Sequence, residues 1–338
     1  MQEFFTVKLI LTQHLGGKLG MSEDVSLSKV SRYATTINAD DNFHVLLGDL
    51  GGTLGIDQEL RGRRNPAVTA MNYMGYNFAV LNHRDLSNIS KLRRAVGFSR
   101  YPFLNCNIGH PNTKEPFFGE PYEMIEINGM RLAYVSGYAG PFDAEDDDLF
   151  EVADIAEALR RTLRYIYDNK DPDYVIVAVS DWDETMQNVV DELEGVGIVI
   201  TGASEVYGGA FNPGGDAEVP SDLAANFSAE ASEDLAAAIS PQQFVRNIGG
   251  GRGRPHTDKA EESGPRLLSG KENYAAGDSA SISMYHHHHE GFVMSIDLRF
   301  KRRTTTFEYL GHTISYLDHE ISELTDDIHL NDLIYYHL

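Results

Sequence analysis

Cationic side chains are scarce in this sequence. Only 28 Lys and Arg, nine of them Lys, stand against 51 Asp and Glu, which gives a formal net charge of −23. Binding to a polyphosphate backbone draws its free energy from cations that release condensed counterions, so nucleic-acid backbone binding is excluded as a main activity. Cysteine is rarer still. Cys106 alone closes no intrachain disulfide and supplies no multi-thiolate zinc or iron–sulfur site. Long apolar runs are missing too: the stretch Phe4–Leu11 is interrupted by Lys8 and is too short to cross a bilayer. It has neither the basic flank nor the small-residue cleavage site of a secretory leader, so the expectation is no membrane partner and the cytoplasm by default.

What is present suffices for a core. With 42% hydrophobic residues in 338, a disordered tail and a disulfide-stapled miniprotein are ruled out. Short β-branched or aromatic runs alternate with helical patterns, the order of an α/β layered domain. Strands are predicted at Phe5–Leu11, Phe43–Gly48, Phe78–Leu81, Phe103–Asn107, Tyr174–Ser180 and Gly197–Thr201. The continuous apolar run from Tyr174 suits a strand covered on both faces. Pro66–Tyr73 reads as a helix with proline in its first turn, and Leu86, Ile89, Leu92 and Val96 repeat at helical spacing. A longer helix is expected from Asp148 to Asp168, with the acidic run Asp143–Asp148 capping its positive end.

Glu123–Ile127, then Asn128-Gly129, then Met130–Val135 reads as a hairpin, because Asn-Gly takes the positive φ angles of a type I′ turn. From Gly202 to about Ala280 the chain becomes polar and small, read as long loops around one short helix, Ser232–Ile239. Two closing strands are expected at Gly291–Phe300 and Thr304–Leu310. Ile314, Leu317, Ile321, Leu324 and Ile328 then recur every three or four residues, which predicts an amphipathic C-terminal helix. Its narrow seam would pack on its own domain or pair with another subunit. The expected division is thus a domain over 1–312, with an insertion at 202–280, and the terminal helix at 313–338.

Three fragments carry a resemblance. Val45-Leu46-Leu47-Gly48-Asp49 is followed by Gly51-Gly52-Thr53. Met71-Asn72-Tyr73-Met74-Gly75-Tyr76 leads to Leu81-Asn82-His83-Arg84. Tyr101-Pro102-Phe103-Leu104-Asn105-Cys106-Asn107-Ile108 comes next. In order and spacing they resemble the metallophosphoesterase domain of the 5′-nucleotidase family, with its strand ending in Gly-Asp, its Met-Asn-x-x-Gly-Tyr-Asp and Gly-Asn-His-Glu, and its Phe-Pro-x-Leu-x-x-Asn-Ile. The resemblance implies a calcineurin-like fold, a four-layer β-sandwich flanked by helices. It leaves the family's C-terminal nucleoside-binding domain without a counterpart, and it leaves export open, since relatives are often exported.

In that family two divalent cations activate a water and neutralise charge on phosphoryl oxygens. The resemblance implies Asp49 as the bridging ligand, Asn82 as a ligand of the second cation, and His83 as proton donor or phosphate contact. Elsewhere the pattern departs. The family's Asp-x-His aligns with His14 and Gly16, its ligand histidine after the strand Tyr174–Ser180 with Asp181, and its Gly-His-x-His with Gly202-Ala203-Ser204-Glu205; Arg84 replaces a Glu. Two readings stand. In one, His14, Asp49, Asn82, Asp181 and Glu205 rebuild a site for a manganese, zinc or magnesium ion, and the protein hydrolyses a small phosphoester. In the other, the fold outlives the chemistry, and the protein binds or self-assembles as a homo-oligomer.

Three further features read as local. His286–His289 suits a solvated loop or strand edge, or an adventitious metal site. Gly249–Pro255, with Arg252 and Arg254, lacks the Lys-Ser/Thr ending of a phosphate-binding loop and reads as a flexible loop. Trp182, the only tryptophan, is expected to fill core or anchor a loop.

Overall fold

The computed structural model describes residues 3–20, 25–38, 43–56, 64–140, 149–182, 189, 193–203, 245–248, 271–275, 279–284, 291–304 and 306–337. His286–His289, Gly249–Pro255, Ser232–Ile239, Asp143–Asp148 and Glu205 lie outside them.

The strands are β1 (Phe4–Gln13), β2 (Phe43–Asp49), β3 (Phe78–Val80), β4 (Phe103–Leu104), β5 (Ile108–Gly109), β6 (Tyr122–Ile127), β7 (Met130–Tyr138), β8 (Glu151–Val152), β9 (Tyr174–Trp182), β10 (Ile198–Ala203), β11 (Val245–Ile248), β12 (Lys271–Ala275), β13 (Ser279–Met284), β14 (Phe292–Arg302) and β15 (Phe307–Tyr316). One sheet runs β12-β15-β14-β1-β2-β3-β4 and a second β11-β13-β10-β9-β7-β6, while β5 and β8 pair separately. The helices are α1 (Leu27–Asn38), α2 (Pro66–Met74), α3 (His83–Leu86), α4 (Ile89–Phe98), α5 (Ile155–Asn169), α6 (Asp318–Ser322) and α7 (Ile328–His337). No described helix is long and apolar enough to cross a membrane.

Alternation along the strands builds the layers. Val7, Leu9 and Leu11 of β1, Met294, Ile296 and Leu298 of β14, Leu132 and Tyr134 of β7, and Ile176 of β9 share one apolar cluster between the sheets. Ile10 and Val293 point the other way, into a cluster with α1, α2, α4 and the C-terminal helices. Val175, Val177 and Val179 of β9 meet Leu159, Leu163 and Ile166 of α5 in a third. Three apolar interfaces make four layers, helices outside and two sheets within.

The sheets meet at the C-terminal ends of their parallel strands. Ser180 Oγ of β9 donates to the Leu81 carbonyl after β3 at 2.5 Å, and the Cys106 amide donates to Ser136 O of β7 at 2.8 Å. At β10, a Cβ on Gly202 would stand 2.7 Å from Gln13 Nε2 of β1. These contacts bring the loops after β1, β2, β3 and β9 to one edge of the sandwich.

Several expectations need correction. The strand expected at Phe103–Asn107 stops at Leu104, because Asn105 Oδ1 accepts from the amides of Asn107 (2.9 Å) and Ile108 (2.7 Å), an Asx turn that bends the chain. Leu86 to Val96 is two helices, since Asn88 caps a fresh start at Lys91 N. The long helix begins at Ile155 with Asp154 as its cap, bonded to Glu157 N at 2.8 Å. The apolar spacing runs back through Val152 and Leu149, but Val152 lies in β8 and Leu149 is exposed. Residues 202–280 hold three described strands, β11, β12 and the start of β13, in a segment expected to be loops and one helix.

The single C-terminal helix is also corrected. Ile314 belongs to β15, and the chain then turns at Leu317, whose amide donates to Val293 O at 3.0 Å. Asp318 Oδ1 accepts from the Val293 amide at 2.6 Å, and two short helices follow. Leu317, Ile321, Leu330 and Ile334 are buried in the core of the domain itself. The expected hairpin is present as β6 and β7, with Asn128 at φ 52° and Gly129 at φ 81°. Strand β6 is an outer edge of its sheet, and Glu123 shares the inward face of Ile125 and Ile127.

Candidate functional site

The loop after β1 and the loop after β2 are zipped together. The amides of His14, Gly16 and Gly17 donate to the carbonyls of Gly51, Gly52 and Thr53, each at 2.9 Å. This closeness demands glycine at Gly52, where φ is 75° and a Cβ would stand 2.6 Å from His14 Nδ1 and 2.8 Å from Asn82 Nδ2. His14 and Asp181, at the ends of β1 and β9, are both left-handed, with φ 54° and 52°. Non-glycine residues hold such angles at a cost, which the surrounding bonds must offset.

Asp49 ends β2 and is buried. Its Oδ1 accepts from the hydroxyls of Thr12 (2.7 Å) and Thr53 (2.5 Å), and its Oδ2 accepts from the Gly51 amide at 3.0 Å. Asn82 follows β3 and caps α3, its Oδ1 accepting from Asp85 N at 3.1 Å while Asp85 Oδ2 accepts from Asn82 N at 3.2 Å. Asn82 Nδ2 lies 3.4 Å from His14 Nδ1. Asp85 Oδ2 also accepts from Gly52 N at 2.9 Å, but its buried Oδ1 has no hydrogen bond. Asp181 Oδ2 accepts from the His83 amide and Oδ1 pairs with His83 Nδ1, both at 2.7 Å. Gln13 is buried with neither amide atom bonded.

The structure therefore gathers His14, Asp49, Asn82, His83 and Asp181 at one edge. Sequence reasoning missed Thr12, Thr53 and Asp85. The Asn82-x-x-Asp85 spacing was a readable signal, being the pattern of a reciprocal helix cap.

Burial dominates the electrostatics. It pushes Asp49 up to about 6 against the bonds from Thr53, Thr12 and Gly51. It pushes Asp85 up to about 7, with Asp49 and Asp181 adding like-charge repulsion. Away from this edge, burial holds Asp318 up at about 7 against the Val293 amide bond. Raised carboxyls bind protons more tightly folded than unfolded, so their contribution to stability is full below their unfolded value near 4 and is lost as pH rises through 6 to 7. The urea midpoint is expected to be higher at about pH 5 than at about pH 8, and Asp85→Asn should flatten the difference. A midpoint that rises with pH over this window would contradict it.

Paired divalent cations need several carboxylate or imidazole atoms aimed into a common space. The oxygens of Asp49 and Asp181 instead receive donors from the chain itself, and the Asn82 carbonyl caps a helix. Among the described residues no group of three or more His, Cys, Asp or Glu is placed to hold a metal ion. The described residues do not fit a dinuclear centre.

No protein-family profile and no curated protein matches the sequence. Solved structures do match. The calcineurin-like phosphoesterase YfkN from Bacillus subtilis superposes with a TM-score of 0.63 at 14% identity, over 99% of this chain and 97% of that one. This chain has the calcineurin-like phosphoesterase fold. A 5′-nucleotidase precursor from Thermus thermophilus (TM-score 0.62, 12% identity) shares that fold over 98% of this chain, which spans 58% of the nucleotidase. The sulfate thiohydrolase SoxB of Thermus thermophilus shares it too, at TM-score 0.62 and 11% identity, over 100% of this chain and 61% of its own. On this fold the ends of β1, β2, β3 and β9 carry His14, Asp49, Asn82 and Asp181, the positions to which the motifs pointed.

Proposed function

We propose that this protein is a divergent metallophosphoesterase-fold chain that has lost efficient hydrolysis and acts by binding or self-assembly. The bonding of Asp49 carries the reading. The carboxylate that would bridge two cations is spent on Thr12, Thr53 and Gly51, holding the loops after β1 and β2 in place. His83 is likewise tied through two atoms to Asp181, which stands where a ligand histidine is expected.

A metal-dependent hydrolase with a rebuilt, mononuclear site is the competing reading. It draws on Asp85, whose buried Oδ1 is unbonded beside Asp49 and Asp181. One assay separates them: purified protein with manganese, zinc or magnesium and chromogenic phosphate mono- and diesters. The expected result is no metal-dependent turnover and less than one metal ion per chain. Turnover abolished by both Asp49→Ala and His83→Ala would establish the hydrolase instead. Self-assembly is best probed by surface substitution, because deleting 313–338 would remove part of β15 and five core side chains, Ile314, Leu317, Ile321, Leu330 and Ile334.

A further inference from the structure

Two outer helices carry unlike exposed stripes. On α5, Arg160, Arg161, Arg164 and Tyr165 lie at helical spacing on the face opposite the buried Leu159, Leu163 and Ile166. They line one shallow depression, with Glu157 and Asp168 at its ends. Neither Arg161 nor Arg164 forms an ion pair with those acids, although each is four residues from one. Tyr165 is 49% exposed, its ring 6.1 Å from that of Tyr122. Three arginines within five residues are a concentration of positive charge in a chain that carries −23 overall.

On α7, Ile328, Asp332 and Tyr335 recur at i, i+4 and i+7, opposite the buried Leu330 and Ile334. Ile328 is 72% and Tyr335 81% exposed, the two highest values among the exposed large hydrophobic side chains of the described residues. Exposed Glu320 and Glu323 stand just before this stripe, on and after α6. One stripe is thus cationic and aromatic, the other acidic, aliphatic and aromatic. They occupy opposite outer layers, since α5 packs outside the second sheet and α7 in the helical layer outside the first.

We propose that the α5 stripe of one copy docks on the α7 stripe of a second copy. This rests on the self-assembly half of the reading above and names its surface. Arginine and tyrosine are the side chains favoured at such contacts, and the opposite charge fixes the pairing. At physiological salt the Debye length is about 8 Å, so the acidity of remote faces is screened while contact pairs are not. Because the two patches differ and face apart, the contact is heterologous, and copies add head to tail instead of closing as a symmetric pair.

Sedimentation velocity on the full chain, over a concentration series at physiological salt, tests this. Wild type is expected to grow beyond a dimer. Arg161→Glu with Arg164→Glu, and separately Ile328→Glu with Tyr335→Ser, should each leave a monomer with an unchanged melting temperature. An equimolar mixture of the two variants should form a dimer and nothing larger, because each supplies the face the other lacks. If either pair of changes lowers the melting temperature, Arg161→Gln with Arg164→Gln and Ile328→Thr replace them in the same mixing experiment. Variants that assemble as well as wild type with either face altered would keep self-assembly and overturn this surface. Wild type that stays monomeric throughout would overturn both.

Discussion

Replacing Asp49 with alanine is expected to destabilise the protein by about 3 kcal/mol at about pH 5.5. The substitution strands the Thr53 hydroxyl and the Gly51 amide in a buried setting, and unsatisfied buried donors cost about 1–3 kcal/mol each. Thr12 suffers less, because its hydroxyl keeps the Tyr76 hydroxyl at 3.1 Å and the Gly48 carbonyl at 3.4 Å. Burial raises the Asp49 carboxyl to about 6, so its charged form is the less favourable one, and the loss should shrink toward pH 8. Asp49→Asn keeps an acceptor for both hydroxyls but turns its amide toward Gly51 N–H, so an intermediate loss is expected. Urea unfolding at the two pH values measures this. A group kept for metal chemistry behaves differently, because its removal usually leaves stability unchanged or raises it. An alanine variant as stable as wild type would return Asp49 to the catalytic column.

The pair Ile321→Ala and Leu330→Ala should come close to abolishing the fold. Both side chains are fully buried in the cluster beneath the first sheet. Each truncation in such a core costs about 2–5 kcal/mol, including the cavity left behind. Together that rivals the entire stability of a typical domain, about 5–15 kcal/mol. The expected observation is loss of a cooperative thermal transition by near-ultraviolet circular dichroism, with each single variant retaining one at lower temperature. A double variant that melts like wild type would mean that the C-terminal segment is an appendage.

The layers of the fold were legible in the sequence, and the reason is geometric. A strand covered on both faces is apolar without interruption, as Tyr174 to Val179 is, and the Asn128-Gly129 turn fixes a hairpin by backbone angle alone. The C-terminal segment was misread because spacing by three and four survives a change of structure. Ile314 in a strand faces the core between the sheets, whereas Leu317 at a turn and Ile321 in a helix enter the core on the other side of the first sheet, so one spacing serves two clusters. What turns the chain there is the bonding of Leu317 and Asp318 to Val293, and nothing near Asp318 in sequence announces it.

The site divides in the same way. Asp49 and Asn82 stand out because they end strands in recognisable motifs. The pairing of His83 with Asp181 spans 98 residues and exists because β3 and β9 converge across the sandwich. Thr12 is a threonine in an apolar strand, and only the parallel register of β1 with β2, which sets Thr12 beside Asp49, shows its purpose. A motif predicts where a carboxylate sits; whether that carboxylate faces outward or is absorbed by neighbours is settled by contacts distant in sequence.

The outer strand β6 limits how these molecules can join. Its inward-facing Glu123 is held above the ordinary carboxylate range by burial, with Glu120 adding repulsion. A neighbour that stitched itself to this border by backbone pairing would trap that acid more deeply still. Stacking of copies is thereby steered off this margin, and a fibre joined through the helical flanks would be a string of intact globules and not a ribbon continued through β6.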